Sequence, residues 1–465
     1  MPETTLPISP EVFWGVVSTG LFIIACLAVG ALLFPPKNHH IAPLTRLKSN
    51  LGLRKVNPGL FLIALLMWSV VAFLLVAGLI GTVWDIIWQA LPANNSEFWD
   101  WRFALVKLTA LTATLGAVVA FPITMQRLRL TQLQTSTASE ALFNDKINAA
   151  ANDLHAQRQV TIYPENAGNP VDIWQDDVVK RNAAIDQLEI LVIERPDTAP
   201  RVARMLCTYV RELSKEYEPH PVPEEDSLEI LRKWAQSLKP YRSDMENAAQ
   251  TLGRLKTISS VDPSAISIDL RGANLQEFNL NGAVLTNAKL IGANLQNTQL
   301  EHAQMQETRL SSAKMQGANL KYTDLQNATL PWAKMQIVDL TGADLRNADF
   351  GFAEMQSVNL HAAKMQGAQL FLTGLQGAML RRTEMDSATM ISLAELRGAM
   401  LQDFDYSNVD FAEVRINETF YDRSTVFSDV INRAPGRDEE LGAQFYTAWL
   451  DWQKSIGFDP DTYQA

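Results

Sequence analysis

The sequence predicts a four-sided parallel β-solenoid of about seven coils, preceded by an α-helical domain and by three membrane-spanning helices. Two periodicities predict the solenoid. Leu, Met or Phe recurs every five residues through residues 265–414, at positions that include Leu275, Leu280, Leu295, Leu300, Met315, Leu320, Met335, Leu340, Met355, Leu360 and Leu375. A helix needs a period near 3.6 and a flat strand a period of about 2, so a sustained period of five marks a solenoid. Gln276, Gln296, Gln316, Gln336, Gln356 and Gln376 each follow one of these residues at a period of twenty. Five residues therefore make a side and twenty make a coil. The third observation is a set of long uncharged runs at the start of the chain.

Within each unit a small or β-branched residue, mostly Ala, precedes the central residue by two, as at Ala273, Ala283, Ala288, Ala293 and Ala303. The residue between them is often Asn or Asp, as at Asn274, Asn294, Asn319, Asp339 and Asp344. This Ala-(Asp/Asn)-Leu-x-x pattern resembles the pentapeptide-repeat family. The resemblance covers about a third of the chain and implies a right-handed quadrilateral β-helix with four pentapeptides per coil. Central and small residues should point inward. Coils at β spacing, about 4.8 Å apart, would give a rod on the order of 35 Å long. Gly272, Gly282, Gly292, Gly317, Gly342, Gly367 and Gly377 fall on the last position of a unit, where the backbone turns. The Met residues of the central column fill gaps in the packing, with no Cys or His beside them to make a copper set. The Gln column should face solvent, as an amide ladder or as a candidate interaction face.

The chain has 465 residues and a net charge of −11, which argues against a nucleic-acid partner held through phosphates. Cys26 lies in an apolar run and Cys207 in a helical stretch, so no disulfide is expected. Residues 12–34 and 57–84 are uncharged and long enough to cross a bilayer, which takes about 20 residues. A third, Thr- and Ala-rich stretch near 104–126 carries Lys107 at its head and Pro122 near its end. Lys37, Arg46, Lys48, Arg54 and Lys55 fill the loop after the first stretch, and Arg127 and Arg129 follow the third. Positive loops stay on the cytoplasmic side, so the N-terminus should lie outside and the repeats inside. Trp84, Trp88, Trp99 and Trp101 belong at the outer interface. His39 and His40 sit in the basic loop with no Cys, Asp or Glu to complete a metal set.

Residues 127–160 read as a juxtamembrane helix. Thr137 and Glu140 have capping-box spacing, and Phe143, Ile147, Ala150 and Leu154 form an apolar face that should pack on the next domain or, as the alternative, on another subunit. Residues 161–173, with Pro164, Gly168 and Pro170, read as a loop. The helical domain, residues 161–262, carries apolar stripes at Ala184, Leu188, Leu191 and Val192 and at Val202, Leu206, Tyr209, Val210 and Leu213, with further helices near 228–238 and 245–255. Met205 to Glu212 is similar to a segment that precedes the repeats in bacterial membrane-anchored members of the family. A solenoid end exposes strand edges and an apolar cross-section, so these helices are its expected N-terminal cap.

After Met390 the register slips by one residue, expected within Ile391 to Glu395, and the repeats run to 414. Asp403, Asp405, Asp410 and Glu413 gather near this end, as a solvated acidic face or, on the sharper reading, a cation site. Residues 415–465 form a C-terminal cap whose last helix places Leu441, Phe445, Ala448, Trp449 and Trp452 on one side. Phe445, Trp449 and Trp452 are the candidate C-terminal contact, on the solenoid or in a homo-oligomer. The sequence holds no phosphate-cradling loop, zinc spacing, nucleophile elbow or dinucleotide fingerprint, so neither an enzyme nor a cofactor or metal site is expected. The leading reading is a scaffold in a bacterial inner membrane that presents a rigid rod to a cytoplasmic protein. The alternatives are an oligomeric membrane effector or pore governed by its soluble part, and a DNA mimic like the gyrase-binding members of the family.

Overall fold

The structure, a computed structural model, describes residues 56–88, 95–162, 171–223, 227–240, 242–403, 405–411, 413–414, 418–421, 425–427 and 444–459. The expected first span, the loop with His39 and His40, Cys26 and Leu441 lie outside the described residues. The chain divides into two compact units, Met1–Asn144 and Asp145–Ala465.

In the first unit, helix α1 spans Pro58–Trp88 and is apolar on every face. Helix α2 spans Asn95–Asp153, and its last turns are part of the second unit. Both are long and apolar enough to cross a bilayer. The two helices meet where Gly78 faces the methyls of Leu111. Pro122 lies inside α2 and does not break it. Such a proline is tolerated where its neighbours re-satisfy the freed backbone. Elsewhere in α2 the hydroxyls of Thr109, Thr112 and Thr124 donate to the carbonyls of Leu105, Leu108 and Ala120, one turn back. The expected separate juxtamembrane helix is therefore the end of α2. Thr137 is no cap but a mid-helix residue whose hydroxyl donates to the Leu133 carbonyl.

After the end of α2 the second unit holds a β-hairpin, where the sequence predicts the last residues of the juxtamembrane helix and a loop. Strands β1, Gln157–Ile162, and β2, Val171–Asp176, pair antiparallel. Four helices follow: α3 at Val178–Glu194, α4 at Ala199–Glu216, α5 at Leu228–Ser237 and α6 at Ser243–Leu255. Asp177 caps α3 and Ser227 caps α5, each accepting from a first-turn N–H. Both predicted stripes of α3 and α4 are buried, and so are Ile147, Ala150 and Leu154 at the end of α2.

The repeats form a parallel ladder with a twenty-residue offset, from Asp269↔Lys289 to Lys364↔Glu384. One unit shows why the sequence has its pattern. Ala318 N–H donates to Met315 O across the corner, Asn319 N–H to Thr298 O in the coil before, and Leu320 N–H to Asp339 O in the coil after. Tyr322 N–H donates to Thr341 O, again in the coil after. The remaining donor, Lys321 N–H, goes to the Asn319 side chain at 3.2 Å. All five donors are paired, and the Asn or Asp is needed because the ladder leaves one of them over. The central residues are buried throughout, from Leu270 to Leu401. Where Thr replaces the small residue, its hydroxyl donates to a carbonyl one coil back, as Thr298 does to Leu275 and Thr323 to Leu300. A buried hydroxyl thus keeps a partner.

The extra residue sits earlier than expected. The offset becomes twenty-one at Gln369↔Met390, after a turn in which Asp386 and Thr389 bond one another. Met390 is therefore not central: it is exposed, and Ile391 occupies the core. The ladder also continues past residue 414. Strand β3, Met379–Arg381, pairs with β4, Met400–Gln402, and β4 with β6, Phe420–Tyr421. Strand β5, Asp405–Tyr406, pairs with β7, Val426–Phe427. Helix α7 spans Phe445–Ser455.

Candidate interaction surfaces

The first coil has no coil before it, so each of its sides leaves one ladder N–H without an acceptor. The helical domain supplies all four. Asp269 N–H donates to Cys207 Sγ (3.4 Å), Asn274 N–H to Ser214 Oγ (2.9 Å), Asn279 N–H to Glu246 Oε1 (2.8 Å) and Val284 N–H to Gly253 O (3.3 Å). The same helices donate to unused carbonyls, Gln250 to Asn279 O and Lys256 Nζ to Thr286 O. Gly253 is required by close approach: a Cβ there would lie 2.7 Å from Ala283 Cβ. Burial pushes the Cys207 thiol up to about 11 and holds the Lys256 amine below its ordinary value. The segment from Met205 to Glu212 supplies part of the junction. Cys207 caps one side, Arg211 reaches Asp269 at 3.4 Å, and Tyr209 donates to Asp244 at 2.5 Å.

Behind the junction lies a network of buried charge. Arg242 binds Asp244 through both its Nε and Nη2, reaches Asp176, and stacks over the Tyr217 ring at 4.8 Å. Arg181 joins Asp176 and donates to the Ala156 carbonyl at 3.0 Å. Burial raises the Asp176 carboxyl, but the Arg242 and Arg181 guanidiniums outweigh it and hold the group below its ordinary value. Two cations and two carboxylates thereby tie the hairpin, α3 and α6 together.

The Gln column is not the open face expected. Gln276, Gln296, Gln316, Gln356 and Gln376 are buried, and Gln336 is half-buried. Helical elements cover this wall. Gln276 exchanges two hydrogen bonds with the backbone of His220, at 2.8 and 3.2 Å. A Cβ on Gly317 would lie 2.8 Å from Ala235 of α5, and one on Gly398 would lie 2.5 Å from the Phe458 ring. The amides do not form a continuous ladder: Gln276 donates to Gln296 at 3.2 Å, whereas Gln336 and Gln376 turn to Glu354 and Glu395.

Of the candidate C-terminal contact, Phe445 and Trp449 are buried and Trp452 half-buried. They pack with Met379, Met400 and Phe420, which are stacked one per coil on β3, β4 and β6. Helix α7 therefore runs along the wall of three coils instead of closing the end. Trp449 Nε1 and Gln453 Nε2 both donate to the Gly398 carbonyl, at 2.8 and 2.9 Å. The acids near this end do not converge. Asp403 pairs with Arg381 and Arg382, Asp405 caps its own turn, and among the described residues no three His, Cys, Asp or Glu are placed to hold a metal.

One surface lay unnoticed in the sequence. Along a single corner, Trp332, Phe352, Leu372 and Leu393 occupy the fifth position of successive coils and are exposed, with Phe371 and Met390 beside them. The twenty-residue test that found the Gln column would have found it, had it been applied to the corner positions.

Comparison with known proteins supports the repeat. Residues 268–306, 293–331, 303–342 and 333–370 match the family model of pentapeptide repeats, in 8 copies. No curated protein matches the chain. Among solved structures the chain is similar to HetL of the cyanobacterium Nostoc, a pentapeptide repeat protein involved in heterocyst differentiation regulation. The identity is 23%, over 34% of this chain and 84% of that one, with a TM-score of 0.19. It is also similar to trypsin-treated QnrB1, a plasmid-mediated fluoroquinolone resistance protein, at 17% identity over 42% and 88% of the two chains, TM-score 0.21. A thylakoid-lumen pentapeptide repeat protein of Arabidopsis thaliana is 25% identical over 27% and 66%, TM-score 0.11.

Proposed function

We propose that this chain, a pentapeptide-repeat protein over residues 268–370, is a membrane-tethered scaffold that presents a rigid rod to a protein on the cytoplasmic face of a bacterial inner membrane. The observation that carries the reading is the filled core. With the central column buried along the whole repeat, the rod offers ordered outer walls rather than a cavity for a substrate. Two long apolar helices support the tether. The basic loop at residues 35–56, with Arg127 and Arg129, supports an outside N-terminus and an inside rod. The matched edge of the first coil supports stiffness, since a rod bonded to its cap on four sides cannot pivot freely on it.

Single cysteines at Thr4 and Ser312, in a chain with Cys26 replaced by Ser, test the tether. An impermeant thiol reagent should label the first in intact cells and the second only after lysis. Labelling at Ser312 without lysis contradicts the reading. A photo-crosslinker at Thr341 or His361, both half-buried on the outside of the rod, should trap a protein. The same group at the buried Gln316 should not.

A further inference from the structure

From Gly272 to Arg382 the fifth position of every unit has a left-handed backbone, where Gly or Asn is comfortable and a bulky side chain is strained. On one corner the chain nevertheless places Trp332, Phe352, Leu372 and Leu393, at φ of 55, 60, 52 and 59°. The same corner is built with Gly292 and Ser312 in earlier coils, so the fold does not ask for large apolar groups there. The rings are ordered against one another. Trp332 stacks on Phe352 with centroids 5.4 Å apart and planes 9° apart, and Phe352 meets Phe371 edge-on at 5.5 Å. Trp332 is 59% exposed and Met390 56%. Strain kept at an exposed apolar ridge points to contact with something else.

We infer that the ridge is where a second copy of this chain packs alongside, antiparallel, about a two-fold axis perpendicular to the rods between the coils of Phe352 and Leu372. The flanking charges select this arrangement. One flank is the ladder column Lys314, Lys334, Glu354, Gly374 and Glu395; the other is Arg309, Thr329, Asp349, Gln369 and Met390. Parallel packing sets one column against the other at equal height, which brings Arg309 to Lys314 and Asp349 to Glu354. Both pairs are of like charge and repel. Antiparallel packing sets each column against its own reverse. Lys334, which also pairs with Glu354 of its own chain at 3.6 Å, then faces Glu395, Glu354 faces Gly374, Asp349 faces Gln369 and Thr329 faces Met390, with one attractive pair and no repulsive one. The area also fits. The six apolar side chains of the ridge expose ~600 Å² per copy, most of the roughly 800 Å² per partner of a standard interface. The same patch is self-complementary, as a two-fold contact requires.

The test is the mass of the full chain in detergent, by sedimentation, across a concentration series. The native chain should sediment as a dimer. Trp332→Asn with Phe352→Asn should raise the dimer Kd at least tenfold, and because Asn suits the left-handed backbone the thermal midpoint of the fold should not fall. Lys334→Glu alone should weaken the dimer, and adding Glu395→Lys should restore it. A native monomer, an unchanged dimer in the Asn variant, or no recovery in the charge-swapped variant overturns the proposal. So does quenching of Trp332 fluorescence by brominated lipid in liposomes, which would assign the ridge to the bilayer.

Discussion

The two ends of the solenoid are finished in different ways. At the first coil, α4 and α6 meet the open edge group by group, with an acceptor for each of the four unmatched N–H donors and donors for two of the carbonyls. At the other end α7 binds sideways, through Phe445 and Trp449 on the outer residues of three coils. The ladder there has already slipped by one residue at Met390 and slips again between β6 and β7. A parallel ladder has a direction, so its ends are chemically unlike. Hydrogen bonds seal the end that follows the membrane-length helices, whereas apolar packing, joined by two hydrogen bonds to the Gly398 carbonyl, clamps the far end.

Four changes would break or sharpen this contrast. The largest effect is expected between the ends. Leu320→Lys buries an unpaired charge in a middle coil and should cost several kcal/mol, read as a lowered melting midpoint of the full chain. Trp449→Ala removes the buried indole of α7 and should cost about 3 kcal/mol, with release of α7 and no loosening of the first coil. A smaller loss, about 1–3 kcal/mol, is expected from Ser214→Ala, because Asn274 N–H is left buried without its acceptor. Its signature is faster amide exchange at the first coil while α7 stays protected. The smallest effect is one of pH. The Asp176 carboxyl titrates below 3.8 in the folded chain, so its pairing with Arg242 and Arg181 contributes fully above that value and is lost as pH falls through the lower, folded value. Below about pH 3.8 the hairpin should lose exchange protection before the apolar clamp of α7 does. Simultaneous loss at both places would show that the two ends are not independently held.

The rod was legible in the sequence because its period is enforced by backbone bonding. Each side repeats the same five backbone donors, with a small residue buried beside the central one and, in many units, an Asn or Asp that accepts the leftover N–H. The helical stripes at Leu188 and Leu206 were legible for a similar reason, since one face of each helix is buried. What escaped was decided by contacts distant in sequence. Gln316 was expected to face water because its position points outward, but α5 lies over it from eighty residues earlier. Pro122 lies near the end of the third apolar stretch, yet the helix runs on through it to Asp153. The hairpin hid behind Pro164 and Gly168, which lie between its strands. The slip at Met390 was misplaced by a few residues because both Met390 and Ile391 are apolar, and only the ladder distinguishes core from corner.

The sealed first edge makes the helical domain and the rod one stiff body. Residue-resolved hydrogen exchange on the full chain in a membrane mimetic tests this directly. The amides of Asp269, Asn274, Asn279 and Val284 should exchange as slowly as interior ladder amides such as Lys334, and all should be lost together on global unfolding. Exchange of those four amides at the rate of an open strand edge, with the interior coils still protected, would contradict it.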